Sequence, residues 1–237
     1  MEYEFHEYAN LFPMMGEKEL HELSNDIKTR GLIEPVILYE GKILDGRNRY
    51  RACIDAQVKP KIKEFEDKTG AGPLMFVLSK NLHRRHLTES QRAMVGAKLA
   101  TLQHGQKKAD AQICASSQSE AAEQCKVSRR SIQTAREVLD HGTEELIDAV
   151  EQGEVSVSAA AEVSQLSEED QTRIVNAGAE EVRRVAAEIR QKKSSEMSRI
   201  YERATKALSS WREKFMLLGE DDLRMIFDEV FGGEKNA

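Results

Sequence analysis

Residues 44–52 read Leu-Asp-Gly-Arg-Asn-Arg-Tyr-Arg-Ala, a glycine followed by three arginines at every second position. Glycine lets backbone amides approach an anion closely, and a guanidinium grips phosphate through two parallel hydrogen bonds where an ammonium acts as a point charge. If Gly46 opens a helix, the unpaired amides of its first turn join Arg47, Arg49 and Arg51 around one small positive volume, a phosphate site in outline. A solvated basic helix start has the same composition, and this stretch by itself leaves both readings open.

Two further stretches bear on the choice. Residues 80–86, Lys-Asn-Leu-His-Arg-Arg-His, gather polar and cationic groups at the junction of two expected helices. His83 and His86 are three apart but no third ligand stands near them, so surface or phosphate-facing roles are expected rather than a metal site. Residues 119–139 have the grammar of a helix-turn-helix: an alanine-rich helix with Ala121 and Ala122, a turn at Cys125-Lys126-Val127, and Ser128 as N-cap of a second helix. Such a cap contributes about 1 kcal/mol and fixes where the helix starts. On that helix Ile132, Ala135 and Leu139 should face inward, leaving Arg129, Arg130, Ser131, Gln133, Thr134 and Arg136 outward beside the cap, Ser128. A recognition helix offers its N-terminal residues to the major groove, where arginine reads guanine and glutamine reads adenine. Three outward arginines with no acid before Glu137 favour DNA reading over an ordinary helical hairpin.

The elements that must position these groups follow from spacing. Glu17–Arg30 carries Leu20, Leu23 and Ile27 at helical intervals and stops at Gly31. Residues 32–39 and 42–44, joined by Glu40-Gly41, predict a strand pair that delivers the chain to Asp45-Gly46, with Pro35 at an edge or strand entry. A helix over 47–57, a strand over 60–66 and an apolar helix over 74–79 come next. Thr88-Glu89-Ser90-Gln91 has capping-box form and should start a helix reaching about Gln103, and residues 104–118 read as a linker. Past the helix-turn-helix, short helices are expected over 143–152, 158–166, from Ser167 to near Gly178, and over 179–190. Ser195 to Leu218 predicts a longer amphipathic helix whose stripe, Ile200, Ala204, Leu208, Trp211, Phe215 and Leu218, should be buried by self-association or against the same chain.

Composition sets limits on class. No stretch of about 20 apolar residues exists and no charged-then-apolar leader opens the chain, so neither a membrane span nor a standard secretion signal is expected. Three cysteines, Cys53, Cys114 and Cys125, without C-x-x-C spacing, argue against a disulfide framework and a zinc site, and place the protein in the cytoplasm. A net charge of −6 looks wrong for a nucleic-acid binder, but it breaks into −1 over residues 1–90, +3 over 91–140, −8 over 141–190 and 0 over 191–237. Local potential, not the total, governs DNA binding, so the basic segment remains compatible with it.

Taken together, Gly-Leu-Ile-Glu-Pro-Val at 31–36, the G-x-x-R-x-x-A pattern at Gly46, Arg49 and Ala52, the N-x-x-R pattern at Asn81 and Arg84, and a downstream helix-turn-helix resemble ParB-like proteins over about residues 10–190. The resemblance implies an α+β ParB/sulfiredoxin-like domain over 1–87, an all-α helix-turn-helix domain over 88–190, and a C-terminal amphipathic helix within 191–237 serving oligomerisation. It implies a plasmid, phage or mobile-element protein, nucleoid or plasmid associated, that acts in partition or transcriptional regulation. A nucleoside triphosphate, CTP or else ATP, would bind at Gly46, Arg47, Asn48 and Arg49 with Lys80, Asn81, Arg84 and Arg85, and Asn81 would be the residue to touch Mg²⁺. Nucleotide would favour closure of a homodimer around double-stranded DNA.

Three features depart from the partition pattern. Gly-Arg-Asn-Arg stands for Gly-Glu-Arg-Arg, Lys80 stands where a glutamate would help hold Mg²⁺, and acidic Glu2, Glu4 and Glu7 stand where a basic tail would stimulate a partner ATPase. A sulfiredoxin-type reductase would need a cysteine at Arg47. The competing enzyme reading, a nuclease or NTPase, needs paired carboxylates around a metal, and only Asp45 and Glu34 offer themselves near the loop.

Overall fold

A three-stranded sheet sets the geometry of the N-terminal part. The structure is a computed structural model that describes residues 3–82, 87–105, 118–216 and 219. Strands β1 (Val36–Tyr39) and β2 (Lys42–Asp45) pair antiparallel through a two-residue turn in which Glu40 and Gly41 both have positive φ, the turn that matches strand twist. Strand β3 (Ile62–Glu64) joins β1 in parallel, giving the order β2-β1-β3. The expected strands were longer. Pro35 stands at the entry of β1, and Lys61 and Phe65 extend the pairing only by single backbone hydrogen bonds.

Each face of the sheet covers a different core. Val36, Leu38 and Ile43 pack with Ile27, Tyr50, Ala52 and Cys53 from α1 (Glu17–Arg30) and α2 (Arg47–Asp55). Ile37, Tyr39 and Leu44 pack instead with Tyr8, Leu11 and Phe12 of the lead-in and with Leu74, Val77 and Leu78 of α3 (Gly72–Leu82). The register shifts between Ile37 and Leu38, and neighbouring Ile43 and Leu44 are both fully buried, one on each side. The lead-in is more ordered than expected. Phe5 bridges to Ile43 in parallel, and a short 3-10 turn spans Ala9–Leu11.

The second core cluster continues into helices. In α4 (Glu89–Gly105) the capping box forms as expected: the Gln91 N–H donates to Thr88 Oγ1, and the Thr88 N–H donates to Gln91 Oε1 at 2.9 Å. The same Gln91 side chain donates to the Glu151 carbonyl at 2.7 Å, tying the start of α4 to the end of α7 (Glu144–Glu151). Helices α5 (Gln118–Cys125), α6 (Arg129–His141) and α8 (Val157–Val163) pack around α4. Gly96 permits the closest approach, since a Cβ there would lie 2.6 Å from Ile132 Cδ1. Buried Gln171 on α9 (Glu168–Asn176) accepts from the Thr143 N–H and donates to the carbonyls of His141, Ser164 and Leu166, stapling two chain turns.

One expectation fails in the last part. Two helices with a break near residues 191–194 were expected, but a single helix, α10, runs Ala179–Met216, because Gln-Lys-Lys-Ser offers no breaker. Residues to Ala187 belong to one compact unit and those from Glu188 to a second. Within the second unit Met197, Ile200, Tyr201, Leu208 and Trp211 are exposed. Phe215 and Leu218 lie outside the described side chains.

Candidate nucleotide and nucleic-acid sites

Gly46 does open a helix. It is the N-cap of α2 with φ 97°, a conformation that suits glycine, and no side chain caps the first turn. The arginines, however, do not share a volume. Residues two apart on a helix point to different sides, and here they find different partners. Arg47 donates to Asn10 Oδ1 at 2.8 Å and to the Phe12 carbonyl, and stacks 5.7 Å over Phe5. Arg49 turns the other way, to Asp45 Oδ2 at 3.0 Å, the Pro35 carbonyl at 3.2 Å and Glu34 Oε2 at 3.4 Å. Arg51 is exposed on a third side, in an open groove of about 1160 Å³ shared with Tyr3, Phe5 and Tyr50. Asn48 is buried, and its Oδ1 accepts from the Met15 N–H at 3.2 Å, so it anchors the lead-in to α2.

The loop does meet the end of α3. Asn81 donates to the Val77 carbonyl at 2.9 Å and reaches Asp45 Oδ1 at 3.4 Å, so one carboxylate links Arg49 to Asn81. Lys80 lies over the Phe76 ring at 5.9 Å. Arg84 and Arg85, with His83 and His86, lie outside the described residues. Asp45 is the residue whose role the sequence understated. Its spacing of four from Arg49 was a readable signal, whereas Glu34 and the Pro35 carbonyl arrive only through the fold. Among the described residues no group of three His, Cys, Asp or Glu side chains could hold a metal, and the two carboxylates weighed for hydrolysis both face Arg49.

The helix-turn-helix residues fall as expected with two adjustments. Lys126 takes positive φ in the turn, and Ser128 caps α6 by accepting from the Ser131 N–H at 3.0 Å. Ile132, Ala135 and Val138 are fully buried, and Leu139 is only half-buried. Arg129, Arg130 and Gln133 are exposed, and neither guanidinium has a partner among the described residues. The others are engaged inside the protein. Ser131 reaches Glu89 Oε1 at 3.2 Å, Thr134 donates to the Arg130 carbonyl, and Arg136 pairs with Asp140 at 2.8 Å and with the Thr101 hydroxyl. The two described cysteines are inert ballast in these cores. Burial raises both thiols, Cys125 to about 11.

No protein-family model matches the chain. It is 33% identical over 138 residues to a nucleoid occlusion protein of Geobacillus sp. (strain WCH70), covering 55% of this chain and 48% of that protein. A nucleoid occlusion protein of Geobacillus kaustophilus (strain HTA426) is 33% identical over 97 residues, covering 38% and 34%. The chain spans about half the length of the first relative and a third of the second. Two solved structures of C-terminally truncated ParB from Caulobacter crescentus also align with the chain, each over 74% of its length. The one complexed to the centromeric parS site is 18% identical with a TM-score of 0.33 over 90% of that chain. The one complexed with CTP-gamma-S is 19% identical with a TM-score of 0.25 over 88%. Among the described residues no helix is long and apolar enough to cross a membrane.

Proposed function

We propose that this chain is a sequence-specific DNA-binding protein of a plasmid, phage or other mobile element, regulated by a nucleoside triphosphate and acting in partition or transcriptional regulation. The start of α6 carries the reading: Arg129 and Arg130 project into solvent beside Gln133, on a helix fixed from beneath by Ile132, Ala135 and Val138. Guanidiniums without a partner among the described residues, at a rigid helix start, are what a major groove recognises. The names of the relatives, nucleoid occlusion proteins, support association with the nucleoid. The exposed stripe of α10 supports a homodimer, which would double the recognition helix across a palindromic site. We retain 1–87, 88–190 and 191–237 as functional divisions and assign no partner ATPase.

CTP, with ATP as the alternative, is assigned to the loop at Gly46–Arg49 and the end of α3. The first turn of α2, which no described side chain caps, suits a phosphate once the Arg49 guanidinium that covers Gly46 has turned aside, and Asn81 would be the residue to meet Mg²⁺. When bound, the nucleotide would supply the negative charge that draws Arg49 away from its carboxylates.

Two measurements test the proposal. Selection from a random duplex pool should enrich one two-fold motif, and a pool that stays random would overturn sequence-specific binding. Calorimetric titration with CTP and then ATP, with and without Mg²⁺, should give saturable binding of one of them. No heat with either would leave a DNA-binding protein without nucleotide control.

A further inference from the structure

We infer that Arg49 is held in a carboxylate clasp, so that a polyphosphate enters the loop only by displacing Asp45 and Glu34; this rests on the reading of Gly46–Arg49 as a nucleotide-phosphate loop. The guanidinium makes three contacts at once, to Asp45 at 3.0 Å, to Glu34 at 3.4 Å and to the Pro35 carbonyl at 3.2 Å. It also folds back over Gly46, where a Cβ would come within 3.0 Å of Nη2. The cation that should greet a phosphate therefore covers the loop backbone instead.

The charges decide what the clasp does. One guanidinium between two carboxylates leaves the trio with a net negative charge, so an approaching anion is repelled until Arg49 turns. Turning leaves the Asp45 carboxylate, only 13% exposed, beside the incoming phosphate without its cation. A monophosphate offers Arg49 little more than Asp45 already does, and a triphosphate offers several further charges and acceptor oxygens. The clasp is thus a charge threshold that admits triphosphates and refuses monophosphates. Because Asp45 also touches Asn81 at 3.4 Å, opening the clasp loosens the link between the loop and the end of α3. Asp45 acts here as a positioning residue, through Arg49.

The experiment uses the full chain. CTP and CMP are titrated into the unaltered protein, Asp45→Asn and Arg49→Ala, and unfolding of the nucleotide-free proteins is followed for both single variants and the double variant. CTP binding should vanish in Arg49→Ala and tighten about tenfold in Asp45→Asn, with CMP binding now measurable, since a competing charge-assisted hydrogen bond has gone. Without nucleotide, the two substitutions should be non-additive in stability, the double variant losing less than the sum. Additive losses, or CTP affinity unchanged in Asp45→Asn, would overturn the clasp, and the phosphate-loop reading would survive if Arg49→Ala still abolished binding. Coupling without nucleotide but no CTP binding by any variant would overturn the threshold together with the phosphate-loop reading.

Discussion

Helices α2 and α6 both begin in arginines, Arg47 and Arg49 in one, Arg129 and Arg130 in the other, yet only the guanidiniums of the second pair have no partner among the described residues. The difference lies in what precedes each helix. Strand β2 delivers Asp45 and the β1 entry delivers Glu34 and the Pro35 carbonyl to the start of α2, while the lead-in delivers Asn10 and Phe12. The turn before α6 delivers Lys126, Val127 and a serine that serves the backbone. Basic composition is therefore not free charge. An arginine at a strand-to-helix corner is met by the sheet's own polar ends, and one at a helix-to-helix turn meets water.

The contrast implies that the inner face of α6 carries stability and its outer face carries binding. Ile132→Ala, at a position with no exposure against Gly96, should lower unfolding free energy by about 2–5 kcal/mol in a urea titration. Arg129→Ala or Arg130→Ala should leave stability within about 0.5 kcal/mol and weaken the selected DNA site by about 1–3 kcal/mol if a base edge is read. Equal weakening on selected and random duplexes, with a salt slope lower by about one unit, would reduce the residue to a phosphate contact. Loss of stability at either arginine would erase the contrast.

The start of α2 should respond in the opposite sense. Arg49→Ala leaves the largely buried Asp45 without its cation, and an unfolding titration should register about 1–3 kcal/mol lost. Ser128→Ala at α6 and Gly46→Ala at α2 make a smaller, closer comparison. The first removes the acceptor for the Ser131 N–H, for about 1 kcal/mol. The second puts a Cβ against the Arg49 guanidinium at a φ of 97°, also for about 1 kcal/mol, and it should shift with Asp45→Asn where the serine substitution does not.

How much was legible follows the range of the interactions. The Thr88/Gln91 box, the Ser128 cap and the turn at Lys126 are local, and each stands where the sequence placed it. The internal engagement of Arg136 was local too, since Asp140 stands four residues on, and it could have been read. The partners of Arg47 lie more than thirty residues away, and Gln171 reaches back to His141 and Thr143 in the turn before α7, so no short window of sequence contains those contacts. The two spans expected over 179–190 and 195–218 are joined in the single α10, since Gln-Lys-Lys-Ser between them holds no helix-breaking residue.

The smallest expected effect separates the two helix starts by pH. His6 lies in the lead-in that Arg47 grips, buried against Tyr8 and Tyr39, with its Nδ1 accepting from the Tyr8 N–H. Burial lowers its pKa below the ordinary 6.5, against the opposing pull of Glu7 and Glu40 and with a minor contribution from Lys42. The folded chain therefore prefers neutral His6, and the unfolded chain takes up the proton first. The resulting stability is fully present above the ordinary value and is lost as pH falls through it toward the lowered one. A protonated ring can no longer accept from Tyr8, so the lead-in should loosen in acid and release Asn10 and Phe12 from Arg47. Amide exchange corrected for its intrinsic pH dependence should then accelerate over residues 3–12 between about pH 7 and 5, within the range in which histidine titrates, and should do so less in His6→Gln. The start of α6 should not follow. Acceleration of equal size over residues 126–134 would mean that the two starts loosen together, and the difference between occupied and free arginines would then belong to one cooperative unit rather than to two local environments.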